Sequence, residues 1–180
     1  MVLTYMFTVP KLIDSGVLHQ RFPLENGQVR RKFYFTKFWH DGVLALPAEI
    51  RVGLTHKPSV RAVLEALVDD YVSGRPRAEL VRPKGSGMDP PFQRMWAPGQ
   101  AVVEMRTNAT RTFGFFRGEN EFVAVVLATT EDLKKRPDEP DSSGQKARYA
   151  QQAQRVEALI GRMDSKEVDL RDVEQLVTDC

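Results

Sequence analysis

Two arginines, Arg106 and Arg111, flank the short segment Thr107-Asn108-Ala109-Thr110. On either side the chain is rich in Val, Phe and Thr, residues that suit a pleated, half-buried surface. Ala101 to Arg106, Arg111 to Arg117 and Phe122 to Thr129 therefore read as three strands. The breaks between them, Thr107 to Thr110 and Gly118-Glu119-Asn120, carry turn chemistry. Two tight turns joining three strands imply an antiparallel meander, because parallel neighbours need a long crossover. The first turn then brings the two guanidiniums together at one end of a sheet. Fixed cations so placed need an anion. It can be internal, with Glu104 in the right neighbourhood, or it can be a phosphate, which planar guanidinium holds with two parallel hydrogen bonds. Alternation also puts Arg111, Phe113, Phe115 and Arg117 on one face of the middle strand.

Other chemistries find little support. Three scattered histidines and one cysteine make no zinc-ligand spacing. There is no phosphate-binding glycine loop of the Walker kind, no dinucleotide fingerprint and no serine nucleophile elbow. Asn108-Ala109-Thr110 fits a glycosylation sequon, which without a secretion signal reads only as a turn. The expectation is a site with no metal and no cofactor.

The elements that must position these cations come from the rest of the chain. At 180 residues, with 42% hydrophobic and 28% charged residues, a soluble domain with a proper core is expected. No apolar run nears the roughly 20 residues that cross a bilayer. The start lacks a basic, cleavable leader pattern, and the lone cysteine fits a reducing cytoplasm. Net charge is only +2, but the basic residues cluster: Arg30-Arg31-Lys32, Arg106 to Arg117, and Lys134-Lys135-Arg136. Acidic residues gather between Asp164 and Asp179.

Residues 1–31 read as an N-terminal extension with a possible extra hairpin around Glu25-Asn26-Gly27. Lys32 to Trp39 mixes aromatic and basic residues, as a base-stacking platform does, though a buried strand explains the aromatics more cheaply. His40-Asp41-Gly42 then reads as a turn. Pro47 with Leu46, Ile50 and Leu54 suggests a short helix. A second helix is clearer: Ser59 caps Val60 to Val72, and Ser73-Gly74 ends it. Arg75 to Pro98 is broken by proline and glycine and reads as a loop, whose Arg82, Lys84, Arg94 and Trp96 could meet RNA, though a plug for the sheet suits Trp96 better. Lys134 to Gly144 reads as a charged, mobile linker. Gln145 to Met163 has helical apolar spacing, with Tyr149 on its core face, and Ser165 opens a last short helix.

The run Glu104-Met105-Arg106, then Arg111 before an apolar strand, a turn, a Val-rich strand and Lys134-Lys135 resembles the RelE/HigB toxin superfamily, in its phage-derived HigB branch. A following helix with Ala and Arg, Tyr149-Ala-Gln-Gln-Ala-Gln-Arg155, fits the same pattern. The resemblance covers roughly the last two thirds of the chain. It implies an α+β fold in which an antiparallel sheet of about four strands carries packed helices, in the order strand, helices, strands. The corresponding boundaries are residues 1–31 for the extension, 32–163 for the toxin-like domain and 164–180 for a C-terminal helix or tail. It implies an endoribonuclease that cleaves mRNA on the ribosome and is neutralised by an antitoxin. The alternative within the same fold is a non-catalytic protein that binds a partner such as gyrase. Carried over by position, Arg106, Arg111 and Lys134 would be catalytic, with Arg117, Lys135, Lys32 and Arg94 as RNA or phosphate contacts. RNA cleavage needs little more than such cations, because the ribose 2′-hydroxyl is an internal nucleophile beside its phosphate. HigB-like chains often place a late histidine or tyrosine in the site; here nothing after His56 is histidine, and Tyr149 is the only late tyrosine.

Overall fold

The meander sits at the centre of a larger sheet. The computed structural model describes residues 7–22, 29–48, 50–52, 55–81, 91–95 and 101–179. The segment around Glu25-Asn26-Gly27, and Arg82, Lys84 and Trp96, lie outside them. In chain order come α1 (Val9–Asp14), β1 (Leu18–Arg21), β2 (Lys32–Thr36), α2 (Lys37–Ala45), β3 (Ile50–Val52), β4 (Thr55–Lys57), α3 (Val60–Val72) and α4 (Arg77–Leu80). There follow β5 (Phe92–Arg94), β6 (Val103–Arg106), β7 (Thr110–Gly118), β8 (Glu121–Thr129), α5 (Thr130–Leu133), α6 (Ser143–Ile160), a 3₁₀ turn at Ser165–Glu167 and α7 (Val173–Leu176).

Six strands form one sheet in the order β1-β2-β8-β7-β6-β5, and β3 pairs β4 apart from it. Every pair in the large sheet is antiparallel except β2 with β8. The α+β class with helices on a mostly antiparallel sheet is as expected; the strand count and the parallel pair differ from the expectation of about four antiparallel strands. The parallel pair exists because the chain leaves β2 and returns as β8 only after all the intervening elements, ample length for a crossover.

Both faces are covered. On one, Phe33, Phe92, Met105, Phe116 and Phe122 pack with Trp39 of α2, Leu64, Val68 and Tyr71 of α3, and Val173 and Leu176 of α7. On the other, Phe113, Phe115, Val123 and Val126 meet Val9 and Leu12 of α1 and Ala153 and Val156 of α6. This explains the nearly unbroken apolar run of β8, whose residues Phe122 to Val126 are all buried. Gly114 is where the register between β7 and β8 shifts, and a Cβ there would lie 2.1 Å from the Val123 carbonyl oxygen. Only glycine allows that approach.

Several local expectations are corrected. The apolar run Lys32 to Trp39 is not one strand: it breaks at Thr36, whose hydroxyl accepts from the Trp39 N–H at 3.1 Å and caps α2. The residues His40-Asp41-Gly42 are therefore helical rather than a turn. Trp39 is buried and donates its indole N–H to the Thr112 hydroxyl at 3.0 Å. Where a helix is expected around Pro47 to Leu54, the described residues Ile50–Val52 form β3, paired with β4; Glu49, Gly53 and Leu54 lie outside the described residues. The proline-rich loop contains α4 and β5. By contrast α3 has the bounds its pattern predicts, with Ser59 accepting from the Ala62 N–H at 3.1 Å and Gly74 at φ 86° beyond its end. The linker after β8 is folded back onto α6, as described below.

Candidate functional site

The turn after β6 is built from its own hydroxyls. Thr107 Oγ1 accepts from the Thr110 N–H at 3.0 Å, and Thr107 N–H donates to the Thr110 carbonyl at 3.0 Å. Arg106 is thereby set directly opposite Arg111 in the ladder. Like charges so paired repel. Glu104, two residues back and on the same face, is the answer: its carboxylate is buried, with one oxygen 2.9 Å from Arg106 Nη2 and the other 3.0 Å from Arg111 Nε. Arg111 also donates to the carbonyls of Thr107 and Thr110, the latter at 2.9 Å. Of the two sequence-level alternatives for the anion, the internal carboxylate is present; the trio still carries one net positive charge.

A cleft of about 260 Å³ opens beside this trio, between β5–β6 and the start of α6. Glu104 and Arg106 form part of its lining, with Gln93 and Met95 from the β5 side and Ser142, Gln145, Lys146 and Tyr149 from α6 and its cap. Tyr149 is fixed edge-on against Phe113, ring centroids 5.9 Å apart. Its apolar body thus belongs to the core, as its spacing implied, while the residue also lines the cleft. Gln93 stands opposite Glu104 in the β5–β6 register, which is what brings it here. Sequence reasoning passed over Gln93, Gln145 and Lys146. The first lies on a three-residue strand hidden in a proline-rich stretch, and the others lie about 40 residues from the arginines on a different element.

The remaining candidate cations are dispersed. Lys134 and Lys135 are exposed beyond α5, Lys134 paired with Glu131 and Lys135 donating to the Pro140 carbonyl at 3.3 Å. Their segment is clasped to α6 by Arg148, which holds Glu139 with two bonds of 2.5 and 2.9 Å and also donates to the Lys134 carbonyl. Arg117 lies six residues along β7 from Arg111, about 20 Å at strand rise. There it pairs with Glu121 at 3.1 Å and Glu167 at 2.6 Å. Lys32 joins the same network through Glu121 at 2.6 Å, a hydrogen bond that raises its pKa. Arg94 follows Gln93 on β5 and so takes the opposite face, opposite Val103 and 3.9 Å from Asp172. Burial pulls its pKa down, opposed by Asp172 and Asp169. The structure thus brings Arg106 and Arg111 together and leaves Arg117, Lys32 and Arg94 elsewhere.

The clasp is pH-dependent. The Arg148 hydrogen bonds, aided by the Arg136 N–H, hold the Glu139 carboxyl down at about 2 against an ordinary 4.5. A depressed carboxylate contributes stability that is complete above its unfolded pKa and is lost as pH falls toward the folded one. The segment from Lys134 to Ser142 should therefore loosen between about pH 4.5 and pH 2. An NMR titration of the Glu139 carboxyl carbon checks this. A midpoint at 4 or above would remove the clasp.

Among the described residues no three His, Cys, Asp or Glu side chains are grouped to hold a metal ion, and no helix is long and apolar enough to cross a membrane. No protein-family profile, curated protein or solved structure matches the chain.

Proposed function

We propose that this chain is an RNA-cleaving toxin of the RelE/HigB kind, acting on ribosome-bound mRNA and restrained by an antitoxin. One observation carries the reading: a polar cleft with Arg106 on its wall, placed on a three-stranded meander that follows a strand and helices. The resemblance implies such a meander after a strand and helices; β1, the β3–β4 pair and β5 are additional strands ahead of it.

In this reading the RNA phosphate enters the cleft and Arg106 takes its oxygens as negative charge builds during attack by the 2′-hydroxyl. Glu104 and Arg111 are positioning residues. Glu104 fixes the Arg106 guanidinium by an ion pair, and Arg111 fixes Glu104 and the turn. The Tyr149 hydroxyl and the Lys146 ammonium are proton-bearing groups of the lining that can serve the 5′-oxygen as it leaves. Lys134 and Lys135, on the clasped segment that leads into Ser142, supply charge to the RNA backbone.

Expression in cells followed by primer extension on ribosome-bound transcripts tests the proposal. Growth arrest with codon-phased cuts is expected. Arg106→Ala should lose about 10- to 150-fold in cleavage, the worth of one charge-assisted contact. Arg111→Ala should lose a comparable factor indirectly, through a displaced Arg106. Absence of both arrest and cuts would sink the nuclease. Arrest with intact transcripts and gyrase in a pull-down would favour the non-catalytic alternative.

A further inference from the structure

Among the described hydrogen bonds, none engages the carboxamide of Gln93, the carboxamide of Gln145, the ammonium of Lys146 or the hydroxyl of Tyr149, and all four residues line the same cleft. Lys146 acts on the nearby Asp141 carboxylate, helping to lower its pKa, whereas the two carboxamides and the hydroxyl converge on a concavity without hydrogen-bond partners there and are groups that a ligand can satisfy. We infer that the cleft is a single-nucleotide subsite in which Gln93 and Gln145 read the base, an inference that rests on and deepens the nuclease reading.

Six of the eight lining residues sort by chemistry into three parts, Glu104 and Ser142 completing the wall. Arg106 and Lys146 supply cations for a phosphate. Tyr149 and Met95 supply an aromatic face and a polarizable apolar wall, which suit a flat ring. The two carboxamides each offer a donor and an acceptor in one plane, the pattern that matches the edge of an unpaired base. They come from β5 and α6, on opposite sides of the cleft, so a ring between them meets hydrogen-bonding groups on two edges. Inorganic phosphate would leave the amides and the tyrosine unused, and an apolar ligand would leave the amides buried without partners. The volume, about 260 Å³, lies just under the roughly 300–1,000 Å³ of pockets that engulf drug-sized ligands. It suits one base with its phosphate rather than a longer stretch of chain. Single-stranded RNA is recognised in this way, base by base, on stacked and hydrogen-bonded faces.

The test is an NMR titration of the full chain with the four nucleoside 3′-monophosphates and, separately, inorganic phosphate. Wild type should prefer one base by about fivefold or more, the discrimination of one well-made carboxamide contact. Gln93→Leu and Gln145→Leu, each with an unchanged amide spectrum, should each reduce that preference, and together they should abolish it. Arg106→Gln should weaken all four nucleotides alike. Equal affinity for the four bases, a preference that survives both glutamine substitutions, or phosphate binding as tightly as the nucleotides would overturn the inference, as would no binding at all. The two readings can fail separately. Base-selective nucleotide binding without mRNA cleavage retains the subsite and removes the nuclease. Cleavage whose base preference persists in the double glutamine variant removes the subsite and retains the nuclease.

Discussion

Replacing Arg31 with alanine should lower the unfolding free energy by about 4 kcal/mol, measured from urea transitions of variant and parent. Arg31 belongs to the basic cluster Arg30-Arg31-Lys32, yet it is only 1% exposed. Its guanidinium donates to Asn120 Oδ1 at 3.1 Å and to the carbonyls of Tyr71, Arg75 and Thr178 at 3.4, 2.8 and 2.5 Å. It also lies 5.7 Å from the Tyr71 ring centroid. Three segments meet on this one side chain: the end of α3, the β7–β8 turn and the chain beyond α7. The Tyr71 carbonyl is in the last turn of α3, where a cation is favoured by the helix dipole. Alanine would take the guanidinium away from the Arg75 and Thr178 carbonyls in a site with little water, at about 1–3 kcal/mol each before relaxation, whereas Asn120 Oδ1 still accepts from the Thr178 N–H at 3.0 Å and the Tyr71 carbonyl from the Gly74 N–H at 3.2 Å. Arg31→Lys keeps the charge but loses the planar fork, and should recover about half of the loss. A loss under about 1 kcal/mol for alanine would show that water replaces the guanidinium, and the account would fail.

Glu104→Leu should cost a further large amount, about 3–5 kcal/mol, because two guanidiniums would face each other across the β6–β7 ladder without their carboxylate. The diagnostic is the double variant. Adding Arg111→Met to Glu104→Leu removes the repulsion together with one half-buried cation, so the pair should be more stable than Glu104→Leu alone. Simple addition of two penalties in urea denaturation would mean that the three charges are not coupled. Because Arg106 remains in the double variant, nucleotide titration of that protein also separates a direct role of Arg106 from positioning by its neighbours.

The parts of this fold that were legible in the sequence are those where side-chain period and turn chemistry agree. The expected strands of the meander fall within about two residues of β6, β7 and β8, because Val, Phe and Thr alternate between true turn residues. Asn120, at φ 57°, occupies the left-handed position that asparagine tolerates. α3 was legible for the same reason, with a serine cap and a helical apolar stripe. β5 was not, since Phe92 to Arg94 is too short to show a period and follows two prolines. The Lys32 to Trp39 run fits either strand or helix by apolar content, and only the Thr36 hydroxyl divides it. At the site, the local pairing of Arg106, Arg111 and Glu104 could be anticipated because one turn creates it. The rest of the lining could not, because Gln93 and Gln145 reach the cleft only through the register of β5 and the docking of α6.

The bond from Arg31 to the Thr178 carbonyl spans 147 residues, and the Lys32–Glu121 pair spans 89. Such separations order events in time. At a synthesis rate of about 5–20 residues per second, Arg31 waits roughly 7–30 s for Thr178 to be made. The β6–β8 hairpins are local and can form early, whereas β2 has no neighbour on its β8 side until the eighth strand exists. Even then the face bearing Phe92, Phe116 and Phe122 lacks part of its cover until Val173, Leu176 and Val177 are made. The nascent chain therefore passes through a stage at which a sheet edge and an aromatic surface are open together. Those are the features that draw chaperones or invite aggregation.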